Sequence, residues 1–285
     1  MQSQKSVSPV SVINLASDRI DWLNSIPFFL LHLGALVGLF FFPIGLKGVL
    51  ICAVLYVLRM FGVTAGYHRY FAHRTYKTSR VFQFLLAFLA TTSFQKGVMW
   101  WAAHHRDHHR NSDKPSDIHS PIQRGFWWSH VGWILSSSYD ETEFSKIRDF
   151  TKYPELVFLN KFYLIPPFAM GILLLALGGL EAFYWGFLLS TVFLLHGTFT
   201  INSLSHVWGK RRFNTSDQSR NNFLLALITL GEGWHNNHHH YMNSTKQGFY
   251  WYEIDITFYV LVILSKLGIV WDLRDVPSEV LNQKN

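Results

Sequence analysis

The sequence predicts an all-α integral membrane protein, with four membrane-spanning helices in two hairpins and a helical cap on the cytoplasmic side. Three observations carry this expectation: the apolar content, the pairing of apolar runs across short turns, and the placement of the basic residues. Of 285 residues, 49% are hydrophobic and 17% aromatic, which excludes a disordered chain. The single cysteine, Cys52, excludes a disulfide framework, a zinc ribbon and thiolate iron–sulfur ligation. Mean hydropathy is only +0.13, so four spans of about 20 residues each leave most of the chain as water-facing or interfacial mass. The chain is read as one domain over residues 1–285.

The first 21 residues are polar, without an apolar core or a small-residue cleavage site, so no cleaved leader is expected and the first span serves as anchor. Residues 26–42 and 48–65 are nearly unbroken Leu, Phe, Val, Ile and Gly, separated by the turn-like Pro43 to Lys47. Together they read as a helical hairpin in the bilayer. A second pair covers 162–177 and 182–201, joined by Gly178-Gly179-Leu180-Glu181. Pro166 and Pro167 fall near the start of that pair, where helix N–H groups have no internal partner. The apolar stretches Val81 to Ala90, Phe223 to Leu230 and Ile256 to Val270 are too short or too mixed to span, and are expected as core or interfacial helices. The cap therefore comprises 66–161 and 202–285.

Basic residues near span ends favour the cytoplasmic side. Of 25 Lys plus Arg, the two short turns hold only Lys47, whereas 13 lie between Tyr67 and Lys161 and eight after Ile201. Both hairpin turns are thus expected outside, with the termini and the cap cytoplasmic. The same residues account for the net charge of +7 through attraction to anionic headgroups. No base-reading motif suggests a nucleic-acid partner.

Fifteen histidines are the feature this architecture does not explain. They concentrate in His68-Arg-Tyr-Phe-Ala-His73, His105-Arg-Asp-His108-His109 and His235-Asn-Asn-His238-His239. In a His-x-x-His-His triplet on a helix, positions i, i+3 and i+4 share one face. Imidazole nitrogens suit iron, zinc, copper or nickel rather than magnesium or calcium. Eight such rings exceed what one ion coordinates, which favours a dinuclear centre. His68 and His73 are about 140° apart on a regular helix, so either the helix ends between them or the pair serves two metals. His104 and His240 are displaced from their triplets and are expected outside the ligand set. His32, His119, His130 and His196 are expected as hydrogen-bonded structural residues. A metal transporter would need ligands at bilayer depth, where the sequence places few.

The chain resembles the membrane fatty acid desaturases, in particular the stearoyl-CoA (delta-9) branch. The resemblance rests on the three boxes in order, and on Gly66 to Lys77, Arg124-Gly-Phe-Trp-Trp-Ser-His-Val-Gly-Trp133, Asn202-Ser-Leu-Ser-His206 and Gly231-Glu-Gly-Trp-His-Asn-Asn-His-His239. It extends over roughly 26–273. It implies nine ligands, His68, His73, His105, His108, His109, His206, His235, His238 and His239, with Asn202 holding one metal through a water. It also implies two iron ions, which zinc can replace in purified protein, and O2 as co-substrate, with a cis double bond introduced into a saturated acyl chain and water formed. A related lipid hydroxylase is the alternative chemistry on the same metal site.

By the same resemblance Trp101, Trp133, Thr198 and Phe199 line an acyl tunnel, Phe199 standing where the family has tryptophan. Lys96 is expected at the substrate in place of an asparagine. Asp107, Asp113, Asp117 and Glu232 are candidate acceptors for the free N–H groups of ligand imidazoles. Where the acyl-CoA branch carries polar and basic contacts to CoA, this chain has Ala103, His104, Ser137 and Ser138, so the acyl chain is expected either as a CoA ester or linked to a membrane lipid. Electrons are expected from a separate partner, cytochrome b5 or ferredoxin with its reductase, since the segments flanking the resemblance are short for a fused redox module.

Overall fold

The computed structural model describes residues 18–283; most of the polar N-terminal stretch, and with it the reading that no leader is present, lies outside the described residues. The helices are α1 (Ile26–Gly38), α2 (Leu46–Phe61), α3 (Arg80–Thr91), α4 (Val98–Asn111), α5 (Pro121–Arg124), α6 (Phe126–His130), α7 (Pro154–Lys161), α8 (Ile165–Phe183), α9 (Ser190–Ser203), α10 (Phe223–Ile228), α11 (His235–His240), α12 (Ile256–Lys266) and α13 (Ser278–Leu281). One small antiparallel pair joins β1 (Lys77–Thr78) to β2 (Val270–Trp271).

Two continuous helical stretches are long and apolar enough to cross a membrane, Leu46–Ala72 and Ile165–His206. The second is a hairpin. Gly179, at φ 65° and ψ −162°, breaks it where the Gly-Gly pair predicts a turn, and the φ value is one that glycine adopts without steric cost. The two limbs then pack face to face: a Cβ on Gly171 would lie 3.2 Å from the Phe187 ring, and one on Gly186 would lie 3.1 Å from Leu174. The prolines sit in the first turn of α8. α1 runs only 13 residues, about 20 Å, shorter than the expected span over 26–42; it ends at Gly38 and the chain turns through residues 39–42.

Small residues let the hairpins approach closely. The Tyr184 ring lies directly on Gly38, its hydroxyl donating to the Ala35 carbonyl at 2.9 Å, and the Trp185 indole lies on Gly48. His32, His196 and His130 join in a hydrogen-bonded chain, with 3.0 Å at each N···N contact, ending on Ser203. Their expected structural role therefore holds. At the turn end, Lys47 pairs with Glu181 at 2.6 Å, so both hairpin turns lie together. The histidine-bearing segments lie at the other end of the same helices.

α2 does not stop where its apolar run stops. It continues into a π-helix, Gly62–Ala72, every residue of which is buried. α3 lies against it, with Leu86 and Ala90 over Gly62 and Gly66. α4 begins where Asn160 of α7 accepts hydrogen bonds from the Met99 and Trp100 amides at 3.0 and 2.9 Å, satisfying N–H groups that a helix start leaves open. The three short apolar stretches form α3, α10 and α12 as expected. Each keeps an exposed apolar edge, such as Val81 and Leu85, Leu224 and Ile228, or Tyr259 and Ile263.

The Tyr184 contact yields a stability prediction. Gly38→Ala places a Cβ about 2.0 Å from a ring atom that a hydroxyl bond holds in place, and overpacking of this kind costs about 1–3 kcal/mol. The apparent Tm of detergent-purified protein should fall by several degrees. Gly45→Ala, with no atom within 4 Å of the new methyl, should leave it within error.

Candidate metal centre

Among the described residues, nine imidazoles converge in two adjoining groups. His68, His73, His105, His109 and His238 form the first, and His108, His206, His235 and His239 the second; within each group one nitrogen per residue lies within 4.8 Å of all the others. The groups adjoin through His109 and His239, whose ring centroids are 4.5 Å apart. α4 supplies His105 and His109 to one group and His108 to the other. α11 divides its triplet in the same way. The second and third triplets therefore each present one face, as their spacing predicts, but that face straddles two centres.

In the first box the helix does end before His73, at Ala72, but its winding is not that of a regular α-helix. Its backbone is wound as a π-helix, and the His73 amide donates to the His68 carbonyl at 3.1 Å, an i to i+5 bond that stacks residues five apart. Both rings thus reach the same group, with centroids 4.8 Å apart. His206 arrives by another route: α9 ends at Ser203, and one 3-10 turn, Leu204–His206, carries the imidazole inward. Asn202, in the last turn of α9, and His206 are therefore joined through this 3-10 turn rather than along one α-helix.

The residues between the histidines hold the backbone. Arg69 is fully buried, bonded to Glu232, Asp255 and the Thr245 carbonyl. Arg106 spans from α4 to the Phe71 and Ala72 carbonyls at the end of the π-helix and pairs with Asp149. Asn236 accepts from the Arg212 and Phe213 amides at 2.7 and 2.8 Å, and Asn237 donates to Gln247 and Glu253.

Behind the imidazoles stand carboxylates. Glu232 lies 2.5 Å from His68 Nδ1, Asp117 3.0 Å from His108 Nδ1, Asp113 2.9 Å from His206 Nδ1 and Asp217 2.8 Å from His239 Nδ1. Three of these were expected. Asp107 is not among them, because it points to the other side of α4 and pairs with Lys146 at 3.0 Å. Asp217 was missed; it sits in the polar run Thr215-Ser216-Asp217-Gln218-Ser219, where no spacing marks it.

Burial first, then the repulsion of neighbouring imidazoles, holds His73, His105, His109, His235 and His238 well below the ordinary imidazole range. Burial brings His239 down to about 4, against the pull of Asp217. These rings are neutral at pH 7, with lone pairs available. Against its burial, His108 is raised by the carboxylates of Asp117, Asp113 and Asp217 together.

The donor set fits a cation on the chemistry of its contacts. Five Nε2 atoms of the first group run in a string, His68, His238, His109, His105, His73, with successive separations of 3.0, 2.9, 3.0 and 2.9 Å. Each ring nitrogen is either a donor or an acceptor along a single direction, so five of them form at most two mutual hydrogen bonds. The remaining contacts are unfavourable unless a positive charge lies between them. In the second group, His239 Nε2 is buried with no partner while its Nδ1 holds Asp217.

A cavity of about 860 Å³ leads to this site, a volume typical of a small-molecule pocket. All five residues expected at the substrate, Lys96, Trp101, Trp133, Thr198 and Phe199, line it, and so do His105 and Asn202 at its inner end. Trp101 stacks on His105 at 4.9 Å. Gln95, not anticipated, bridges the Trp101 indole and Thr198 across the wall at 3.2 and 3.0 Å. His104 stacks on Trp100 and His240 on Phe213, both outside the groups as expected. His119 departs from its expected structural role: it lines the cavity, its ring lies 4.5 Å from His108, and its Nδ1 has no hydrogen-bond partner.

Comparison with known proteins gives a consistent result. The model of the fatty acid desaturase family matches residues 44–262. The chain is 33% identical over 267 residues to an sn-1 stearoyl-lipid 9-desaturase of Anabaena variabilis, covering 93% of this chain and 98% of the relative. It is 34% identical over 270 residues to an acyl-CoA C20 Delta5-desaturase of Anemone leveillei, covering 92% and 86%, and 33% identical over 270 residues to an sn-2 palmitoyl-lipid 9-desaturase of a Nostoc strain, covering 92% and 93%. With three histidine boxes converging at the head of an apolar cavity and a family match over most of its length, this chain belongs to the fatty acid desaturase family.

Proposed function

We propose that the protein is an oxygen-dependent fatty acyl desaturase of the delta-9 type, introducing a cis double bond into a saturated chain carried as a CoA or lipid-linked ester. The observation that carries the reading is the cavity: one apolar channel ends against His105 of the first histidine group and against His119, which touches the second. Names of relatives that act on stearoyl-lipid, palmitoyl-lipid and acyl-CoA support the substrate class.

The nine histidines would hold two iron ions, with Asn202 reaching one through water, and zinc can fill the same nitrogen sites in purified protein. Bound there, the iron would supply oxidation of an unactivated pair of C–H bonds by O2. The chain's own contribution is positional. Trp101, Trp133 and Phe199 form apolar walls that exclude water, and the Gln95 bridge fixes Trp101 against Thr198, so that one methylene pair faces the inner end. Asp113, Asp117 and Asp217 hold the Nδ1–H of their imidazoles, leaving Nε2 as the ligand atom and raising its basicity, and Glu232 stands beside His68 Nδ1.

The architecture proposed for this function is four spans in two hairpins, with both turns outside and the histidine end cytoplasmic. Lys47 and His68 are 21 residues apart along one helical stretch, about 30 Å, close to the thickness of a bilayer core. Electrons would come from a separate carrier, cytochrome b5 or ferredoxin with its reductase, docking on the cytoplasmic basic surface.

Expression in a desaturase-deficient host with a competent electron carrier should yield new cis double bonds, mapped by mass spectrometry of the lipids, and His238→Ala should reduce them below detection. Hydroxylated chains instead of olefins would overturn the reaction assigned. The carboxylate behind His239 gives a test independent of turnover. Asp217→Asn should weaken metal binding about 10–100-fold, measured by metal content after dialysis against graded chelator, while Asp107→Asn, facing Lys146, should match the unaltered protein.

A further inference from the structure

The outer end of the cavity has two sides of opposite character. On one, Asp21, Asn24, Ser137 and Asp140 surround the opening. Lys96 is the one Lys or Arg among the residues lining the cavity, and it is already paired with Asp140. Asp21 is occupied by its own loop, accepting from the Asn24 amide at 3.1 Å and from its side chain at 2.8 Å. Among the described residues that line the cavity, the polar rim therefore offers two carboxylates and no free cation.

On the other side, Leu30 of α1 and Leu164 and Phe168, just before and within α8, both line the cavity and stand on the outer surface, 59%, 44% and 53% exposed. Residues with one face on a cavity and the other on the outside are the lips of a slot. This slot opens between α1 and α8 onto a belt of exposed apolar side chains, among them Leu33, Leu36, Ile172 and Leu173. A contiguous apolar surface of this kind is a lipid-contacting or binding surface rather than one suited to water.

Resting on the desaturase reading, we infer that the substrate enters sideways through the α1–α8 slot as an intact membrane glycerolipid whose headgroup carries no net negative charge, and not as a nucleotide thioester. A CoA ester presents several phosphate charges to the rim, and recognition of phosphate calls for free Arg or Lys. Here it meets Asp21, Asp140 and a lysine already neutralised. A glycerolipid makes no such demand: its ester and headgroup stay at the polar rim among Asn24 and Ser137, while the chain passes between Leu30 and Phe168 without leaving an apolar medium.

The test uses membranes containing the full chain with its electron carrier. They are supplied in parallel with a stearoyl phosphatidylcholine carrying ¹³C in the acyl chain and deuterium in the glycerol, the matching phosphatidylglycerol, and ¹³C-stearoyl-CoA with acyl transfer blocked. The expected product is unsaturated phosphatidylcholine retaining both labels, with conversion of the CoA ester and of the anionic lipid at least ten-fold lower. Equal or faster conversion of the CoA ester overturns the inference, as does equal conversion of phosphatidylglycerol for the headgroup. Conversion of none of the three overturns the desaturase reading itself. Leu164→Trp, which fills the slot, should lower lipid conversion at least ten-fold, whereas Ile172→Trp, on the outer belt away from the slot, should retain it. Both variants are compared at equal Tm and metal content, and an unimpaired Leu164→Trp excludes the lateral route.

Discussion

Crowded imidazole is the constraint on which the rest of this structure depends. Left to themselves, nine rings packed this closely would move apart or take up protons. Every element around them opposes one or other outcome. Burial removes the water that would stabilise imidazolium, and the four carboxylates fix which nitrogen faces inward. The intervening Arg69, Arg106, Asn236 and Asn237 tie the carrier segments to one another through backbone carbonyls and amides. These intervening residues are as structural as the histidines are chemical. Without them, the energetic cost of the crowd would unwind the short segments that carry it.

The hairpins answer the same constraint from below. His68 and His206 come from the ends of the two long apolar stretches, so packing of one hairpin on the other sets the distance between the groups those residues join. Tyr184 on Gly38 and Trp185 on Gly48 bring the backbones close at the turn end, and the His32–His196–His130 chain holds them near mid-length. The cavity runs through the gap that this packing leaves, walled by α1, the start of α8 and α9. The apolar hairpins and the polar cap are therefore two ends of one lever rather than separate modules.

Much of this was legible in the residues. The apolar runs and the Gly178-Gly179 pair mark the hairpins because length and glycine are local properties. The His-x-x-His-His triplets mark their faces because helical periodicity is local too. What escaped was whatever depends on contacts distant in the chain. Asp217 meets His239 across a loop that carries no pattern. His119 acquires its position from the turn after α4, and Asp107, alike in type to Asp113 and Asp117, is on the wrong side of its helix. The winding of Gly62–Ala72 escaped for another reason: a π-helix has no compositional signature, and only the buried contacts of α3 with Gly62 and Gly66 reveal why the wider coil is accommodated.

That wider coil has a consequence for how the chain can vary. Because His68 and His73 meet through a turn of five, the segment acts as a ruler whose unit is one residue longer than that of an ordinary helix. Exchanging a side chain within it leaves the ruler intact, whereas losing or gaining a single residue between the two histidines changes its unit and swings one ring out of register with the other four. The first box is thus strict about length, a constraint separate from the one that burial and the Arg69 network already place on its side chains.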